Sequence, residues 1–490
     1  MSVSPAIIRG PESEFNHGPE KPELVCCGAG VRRYDRPTMD LINEPIPRLV
    51  RNLAVPAATG FFFNTLYNFV DTYYAGKISP EALEAMGYSF PVFFILIALS
   101  SGVGQGSTAL IANQLGAGNK EDARLMSQQS LVFGAIAGVA VTIIGLAVSP
   151  WLYCQLRADG ESLQLSLDYM NMILMGTPFF VLQQVINASL QAGGDTRSYR
   201  NVLIAGSLLN LGLNPWFLYG GFGIPAMGIR GIALATVVVQ ILGLAYLVTR
   251  LEAISWRKGR HAAEFRPRAL HFRQIFMQGA PSSLNMMTVA IGIYIINWFL
   301  SGFSTESVAG YIAATRIEQI ILVPTIGFNI AMLTLSGQNN GAGRLDRVRE
   351  AWNVSTRYGL VIMIVGGLVL FLLRAPLIRI FTDDPVIIAF GTEYLLVASI
   401  TLFAYVILFQ TVFMMQGLKR PAYALWIGLY RQIAAPLLVF WFLGYVLDWK
   451  ERGVWWGVFA VTWSAAIFTF WYGRRLLNRL EASASTSRNS

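Results

Sequence analysis

Apolar residues in this 490-residue chain are gathered into long runs, and short polar segments separate the runs. A run of about 20 residues is enough for a helix that rises about 1.5 Å per residue to cross about 30 Å of hydrocarbon. The pattern therefore predicts an all-α integral membrane protein. The twelve predicted transmembrane helices cover approximately residues 50–76, 87–113, 126–150, 168–192, 199–221, 228–250, 274–302, 308–336, 354–374, 391–416, 422–447 and 454–476.

Composition and charge agree with a membrane protein. Only 13% of the residues are charged, whereas soluble domains carry about a quarter. The net charge of +9 does not indicate nucleic-acid binding, because the Lys and Arg stand between the apolar runs rather than on one basic face. One set of loops holds most of these cations, so the positive-inside rule places those loops and both termini in the cytoplasm. We expect a multi-pass plasma membrane protein in a bacterial inner membrane. Its expected partner is the lipid bilayer, and no nucleic-acid partner is expected.

The chain also repeats itself. "NQLGAGNKEDAR" at 113–124 aligns without a gap on "QNNGAGRLDRVR" at 338–349, and the same offset brings Gln191 onto Gln416. A parallel repeat of this kind predicts two six-helix lobes with a binding site between them. The predicted domains are a disordered cytoplasmic tail without a signal peptide (1–47), an N-lobe (48–252), a basic cytoplasmic linker (253–272), a C-lobe (273–478) and a disordered C-terminal tail (479–490).

One face of the first predicted helix is polar. Asn64, Asn68 and Asp71 recur at i, i+4 and i+7, with Tyr67 one turn before Asp71. An ionised carboxylate in a membrane costs a few kcal/mol, and no cation in the first six predicted helices lies at its depth. Asp71 is therefore expected either to take a proton or to hold Na⁺ with neighbouring oxygens. Both roles are forms of ion coupling.

The fifth predicted helix offers a second polar face. Asn210 and Asn214 are four residues apart, and Pro215 frees the carbonyl of Leu211 as a further acceptor. Counting along the helices places four residues in the outer half of the membrane, where they could meet in one pocket: Asp71, Asn210, Asn214 and Thr236. Asn187 lies deeper and is expected to reach only a lower part of any cavity.

Other ionisable residues have a structural interpretation. Glu318 and Arg431 are predicted to form an ion pair across helices of the C-lobe, because residues two apart on one helix do not face each other. All three histidines lie outside the apolar runs, so we expect no metal site beyond the Na⁺ alternative at Asp71, Asn210 and Asn214. Nothing in the sequence calls for a cofactor, and a monomer is expected.

Together these segments resemble the multidrug and toxic compound extrusion (MATE) family, across about residues 48–476. The segments that carry the resemblance are "VDTYYAG", "NQLGAGN", "NASLQAGGDTR", "NLGLNP", "GIRGIALATVV", "TRIEQI" and "GQNNGAGR". The resemblance implies two six-helix lobes in a V and alternating access. It also implies a transporter rather than an enzyme, exporting cationic or amphipathic organic compounds in exchange for H⁺ or Na⁺.

The resemblance also implies site residues. It maps the family's N-lobe cation site onto Asp71, Asn210, Asn214 and Thr236. It further places Asn64, Tyr67 and Asn187 along the same cavity, and Pro56 where the family bends its first helix. Many relatives have Asp at the position of Asn214, and others have acids where this chain has Val289 and Tyr405. Ion coupling is therefore expected in the N-lobe alone.

Two alternative functions stay open at this stage. A lipid-linked saccharide flippase of the same superfamily would need a strongly cationic cavity, for which Arg431 is the one candidate. A membrane-embedded enzyme acting on lipids would need clusters of His, Asp or Glu near the interface or a sizeable soluble domain.

Overall fold

The computed structural model describes residues 39–156, 159–221, 223–254, 256 and 262–489. In these ranges the chain forms twelve long helices, and a short 3₁₀ turn at Ala262–Phe265 precedes the seventh. The helices are α1 Ile46–Ile78, α2 Pro80–Gly116, α3 Lys120–Gln155, α4 Gly160–Ala192, α5 Arg197–Tyr219, α6 Ile229–Glu252, α7 Ala269–Ser301, α8 Thr305–Gly341, α9 Leu345–Arg379, α10 Pro385–Gly417, α11 Ala422–Val446 and α12 Lys450–Asn489.

The twelve predicted helices are confirmed, and most are longer than predicted. A helix of 33 residues, such as α1, is about 50 Å long and extends past the hydrocarbon into the headgroup region. Among the described residues, eleven helices are both long and apolar enough to cross a membrane. The twelfth is α1, which is long enough but carries a polar face.

The internal repeat is visible where α2 and α8 end. Each helix finishes with the Gly-Ala-Gly motif, and the first glycine of each motif lies against the other helix. A Cβ at Gly116 would overlap the backbone carbonyl of Gln338, and a Cβ at Gly341 would overlap that of Asn113. Only a residue without a side chain permits this approach. The two repeated motifs therefore form one crossing between the two repeats.

Hydrogen bonds at this crossing follow the same symmetry. Asn113 in α2 donates from Nδ2 to the carbonyl of Gly417 at 2.8 Å, and Gln338 in α8 donates from Nε2 to the carbonyl of Ala192 at 2.6 Å. Both donors and both acceptors are related by one offset of 225 residues, from 113 to 338 and from 192 to 417. α1–α6 and α7–α12 are thus two structural repeats.

These lobe-to-lobe hydrogen bonds lie at one side of the molecule. The loops after α2, α4, α8 and α10 share that side with most of the Lys and Arg, and we call it the basic side. Packing between the lobes continues along α2 and α7, where Gly102 lies against Gly279 and Ser283. The lobes are therefore closed upon each other toward the basic side.

Two short segments strengthen this closure by crossing from one lobe to the other. The pre-α1 segment (residues 39–45) lies on α8 and α9, where Arg347 donates to the carbonyl of Glu44 at 2.6 Å and Asn339 donates to that of Leu41 at 3.2 Å. The pre-α7 segment (residues 262–268) lies on α3, where Gln129 donates to the carbonyl of Glu264 at 2.6 Å. The two repeats thus exchange their leading segments.

Both predicted tails need correction. Residues 39–47, predicted as disordered, are ordered, and the Leu41 side chain is only 2% exposed among the apolar residues of α8 and α9. The C-terminal tail is also not disordered, because α12 continues to Asn489 and Glu481 forms a 2.8 Å salt bridge with Arg349. These contacts join residues far apart in the chain, so the local sequence gave no signal of them. The rest of the N-terminal prediction, residues 1–38, lies outside the described residues.

Candidate ion-coupling site

Three helices of the N-lobe bring four polar residues into contact. Asp71 comes from α1, Asn210 and Asn214 from successive turns of α5, and Thr236 from α6. All four are buried, and Asp71 is 5% exposed. Asp71 and Thr236 each lie seven residues, or about 10 Å, from the helix end opposite the basic side. The four residues that helical spacing and depth grouped together therefore share one enclosed site.

The site is built around the carboxylate of Asp71. Its Oδ1 accepts hydrogen bonds from Nδ2 of Asn210 at 2.9 Å and from Nδ2 of Asn214 at 2.8 Å. Its Oδ2 accepts from the hydroxyl of Thr236 at 3.2 Å. These donors are neutral, and the described residues show no salt bridge to Asp71. Three hydrogen bonds from neutral groups therefore hold the acid.

One further oxygen at the site, Oδ1 of Asn214, is buried without a hydrogen bond in the described part of the chain. The hydroxyl of Tyr67 is also buried and lies beside Thr236 and Asn210. The Tyr67 side chain reaches this position from the turn of α1 that precedes Asp71.

The arrangement suits either of two cations. With the amide NH₂ groups turned toward Asp71, as here, the site is arranged to accept an ionised carboxylate. Rotating the two amides by half a turn would present oxygens instead, and these would accept a hydrogen bond from protonated Asp71 or coordinate Na⁺. Amide, carboxylate and hydroxyl oxygens are the ligands that hard cations prefer. The same four side chains therefore fit both H⁺ and Na⁺.

Tyrosines complete the surroundings, and sequence reasoning missed two of them. The carbonyl of Leu211, which Pro215 frees, accepts from the hydroxyl of Tyr74 at 3.5 Å rather than joining the two amides. Tyr169 of α4 lies buried within electrostatic range of Asp71. The repeat offset could have drawn attention to Tyr169, because it aligns with Tyr394, which bonds to the buried acid of the other lobe.

The other residues mapped onto the cavity lie nearer the basic side. Asn187 is buried in α4, five residues from its basic end, and is not in contact with Asp71. Asn64 lies two turns before Asp71, and its carbonyl accepts from the amide of Asn68 at 3.1 Å. Pro56 is inside α1, which remains helical on both sides of it, and Pro281 occupies the equivalent position in α7. The bending role of Pro56 remains a prediction.

The predicted ion pair between Glu318 and Arg431 is wrong. The Glu318 carboxylate accepts instead from the hydroxyl of Tyr394 at 2.7 Å, and the Arg431 guanidinium lies over the rings of Tyr405 and Phe409. The two charges remain within electrostatic range of each other. Aromatic residues occupy the space that a direct pair would need, and charge complementarity in the sequence could not reveal them.

Twelve long helices in two repeats, with a buried carboxylate among polar side chains in one lobe, are the architecture of a polytopic membrane transporter. The MatE family model matches it twice, over residues 56–216 and 281–441, and the two matches are related by the same offset as the repeated motifs. The chain belongs to the MatE family, the multidrug and toxic compound extrusion transporters. This confirms the family predicted from the sequence motifs.

Two relatives are named as a multidrug resistance protein and as a transporter. A probable multidrug resistance protein NorM of Thermotoga maritima is 29% identical over 71% of this chain and 75% of its own length. A FAD transporter of Shewanella oneidensis is 27% identical over 81% of this chain and 88% of its own length.

Solved structures agree with the fold along most of the chain. A MOP superfamily transporter from Pyrococcus furiosus has a TM-score of 0.85 and 26% identity, covering 91% of this chain and 99% of that one. The outward-facing conformation of a multidrug resistance MATE family transporter has the same TM-score of 0.85, the same 26% identity and the same coverage of both chains.

Proposed function

We propose that this protein is a secondary active efflux antiporter. It exports cationic or amphipathic organic compounds in exchange for H⁺ or Na⁺ by alternating access. The observation that carries the proposal is the buried Asp71, held by three neutral donors and without a salt bridge in the described part of the chain. An ion can drive a conformational change only through its different affinity for two states, and a carboxylate between three helices supplies that difference.

The proposed cycle follows from the charge of Asp71. The ionised acid keeps α1, α5 and α6 apart enough to admit a cation, whereas the neutralised acid tolerates a drier packing of the same helices. Binding of H⁺ or Na⁺ would thereby change the shape of the N-lobe and release the substrate. Asn64, Tyr67 and Asn187 are proposed to line the path of the substrate along this lobe.

The coupling ion can be identified directly. Purified protein in liposomes is loaded with ethidium, and efflux is followed under a pH gradient alone and then under a Na⁺ gradient alone. Acceleration by one gradient identifies the ion. If neither gradient accelerates efflux above the protein-free leak, the antiport proposal fails.

We further propose that the basic side faces the cytoplasm, as expected from the excess of Lys and Arg there. The structure would then be closed toward the cytoplasm, in an inner membrane with both termini inside. Native Cys154 is exposed on the opposite side, and Lys419 is exposed on the basic side. An impermeant maleimide on intact cells should label Cys154 but not a Lys419→Cys variant that lacks the native cysteines. The reverse pattern would overturn the orientation.

The name of the Shewanella relative raises flavin nucleotides as a second substrate class. A flavin nucleotide combines a flat ring with phosphate, so its transport would require a cation inside the molecule. Arg431 is the observation that favours it.

A further inference from the structure

Arg431 lies in an irregular part of α11. The helix changes to a π-helical turn at Tyr430–Ala434. Such turns are rare in proteins, and those that occur are often found at functional sites. The half-buried guanidinium lies over two rings of α10, with its Cζ 5.4 Å from the ring centre of Tyr405 and 5.8 Å from that of Phe409. These two rings are stacked, 5.9 Å apart and inclined by 9°.

The contacts of α11 show that this place is inside the C-lobe. On one side, Gly428 packs against Asn285 and Thr288 of α7, and on the other the Tyr430 hydroxyl lies 3.0 Å from that of Ser464 in α12. Arg431 extends between them onto α10. In the internal repeat α11 corresponds to α5, which presents Asn210 and Asn214 to the N-lobe site. The equivalent helices thus present neutral amides in the N-lobe and a cation in the C-lobe.

The guanidinium is available to an anion. In the described part of the chain no carboxylate lies within ion-pair distance of Arg431, and the nearby Glu318 is directed to the Tyr394 hydroxyl. The guanidinium carries five N–H donors, and its hydrogen bond with the Tyr405 side chain leaves others for an anion. A cation inside a membrane protein that has no direct counter-ion marks a ligand path by default.

We propose that Arg431, Tyr405 and Phe409 bind flat aromatic substrates that carry an acidic group. A carboxylate or phosphate takes the edge of the guanidinium through paired N–H donors, and the aromatic part of the substrate lies along the rings of α10. This deepens the proposed efflux function by naming a substrate class for the C-lobe. It also separates two tasks, since Asp71 serves the coupling ion and Arg431 serves the substrate.

A pair of probes that differ only in the acidic group tests the site. Riboflavin and riboflavin 5′-phosphate share one ring system, and their binding to the full-length protein in nanodiscs can be followed by flavin fluorescence polarisation. The wild type should bind the phosphate about tenfold more tightly, the effect of one charge-assisted pair. Arg431→Gln should bring the two affinities within about twofold, and Arg431→Lys should fall between.

The controls separate recognition from folding. Arg452→Gln removes the same charge from an exposed arginine on the opposite side and should keep the wild-type preference. Ethidium, a flat cation, should bind Arg431→Gln as it binds the wild type. Equal binding of the two flavins by the wild type, or loss of both flavins and ethidium in Arg431→Gln, would overturn the site.

The binding assay uses no gradient, so it fails independently of the proposed antiport. A preference for the phosphate that persists without gradient-driven ethidium efflux would support the site and refute antiport. Gradient-driven ethidium efflux without a preference for the phosphate would support antiport and refute the site.

Discussion

Asp71 shows how a single residue can be both costly and useful. An ionised carboxylate buried inside a membrane protein is costly to desolvate, and three neutral donors stabilise it without neutralising its charge. A proton or Na⁺ would remove that charge. Under the proposed function, this is the preference for a bound cation that ion-driven transport needs.

Thr236 provides a graded test of this argument. Thr236→Val keeps the shape of the side chain but removes the hydroxyl that lies 3.2 Å from Asp71. If the coupling ion is H⁺, we expect its half-saturating concentration to fall about tenfold, because the lost hydrogen bond stabilised the ionised carboxylate and a hydrogen bond to a charged group contributes about 1.5 kcal/mol or more. If the coupling ion is Na⁺, we expect its half-saturating concentration to rise, because the hydroxyl oxygen would be one of its ligands. Ion-dependent efflux in liposomes measures it. Thr236→Ser should behave like the wild type, and an unchanged ion dependence in Thr236→Val would remove the hydroxyl from the site.

Much of this site was predictable from the sequence, for a physical reason. Helical spacing fixes which residues share a face, and the length of a span fixes their depth, so Asp71, Asn210, Asn214 and Thr236 could be grouped. Tyr169 escaped because a Tyr in an apolar run looks like any packed aromatic residue. The pairing of Glu318 with Arg431 failed because opposite charge does not reveal which neutral group intervenes.

At the scale of helices, the crossing of α2 and α8 depends on two glycines. Gly116→Ala or Gly341→Ala would push a Cβ into the opposing backbone. We expect the melting temperature to fall by several degrees, because overpacking costs about 1–3 kcal/mol. Fluorescence-detected size exclusion after heating measures the change. Gly87→Ala is the control, since it lies in the same helix with open space around it. Equal effects at positions 87 and 116 would contradict the close crossing.

The two exchanged segments predict a reciprocal result. Arg347→Ala removes the donor to Glu44 and should speed amide hydrogen exchange in the pre-α1 segment, leaving the pre-α7 segment unchanged. Glu264→Gln weakens the 2.9 Å salt bridge with Arg124 and should speed exchange in the pre-α7 segment only. Mass spectrometry of the peptides reads both. Faster exchange in both segments from either variant would mean that they do not dock independently.

These segments were poorly predicted because contacts with distant residues hold them in place. Residues 39–45 form a short segment whose position is fixed by hydrogen-bond donors on α8 and α9, hundreds of residues away. The helices themselves were well predicted because a run of apolar residues needs no partner to indicate a membrane span. Local signals give helices, whereas long-range contacts decide which loops are ordered.

At the scale of the molecule, one repeat has produced two different lobes. The symmetry of the two repeats extends to individual hydrogen bonds. The bond from Asn113 to the carbonyl of Gly417 is matched by the bond from Gln338 to that of Ala192. The interior chemistry has diverged, with a carboxylate among neutral donors in one lobe and an arginine over aromatic rings in the other. A transporter of this kind can assign the driving ion and the substrate to separate lobes.

The central claim, that the N-lobe carboxylate couples transport to an ion gradient, is tested most directly by two isosteric variants in one assay. Gradient-driven ethidium efflux is measured in liposomes at matched protein density for Asp71→Asn and Glu318→Gln. We expect Asp71→Asn to fold, to bind ethidium and to show only the protein-free leak, because its side chain cannot change charge. Glu318→Gln should transport close to the wild-type rate, since its amide oxygen still accepts from Tyr394. Efflux at the wild-type rate by Asp71→Asn would contradict the account.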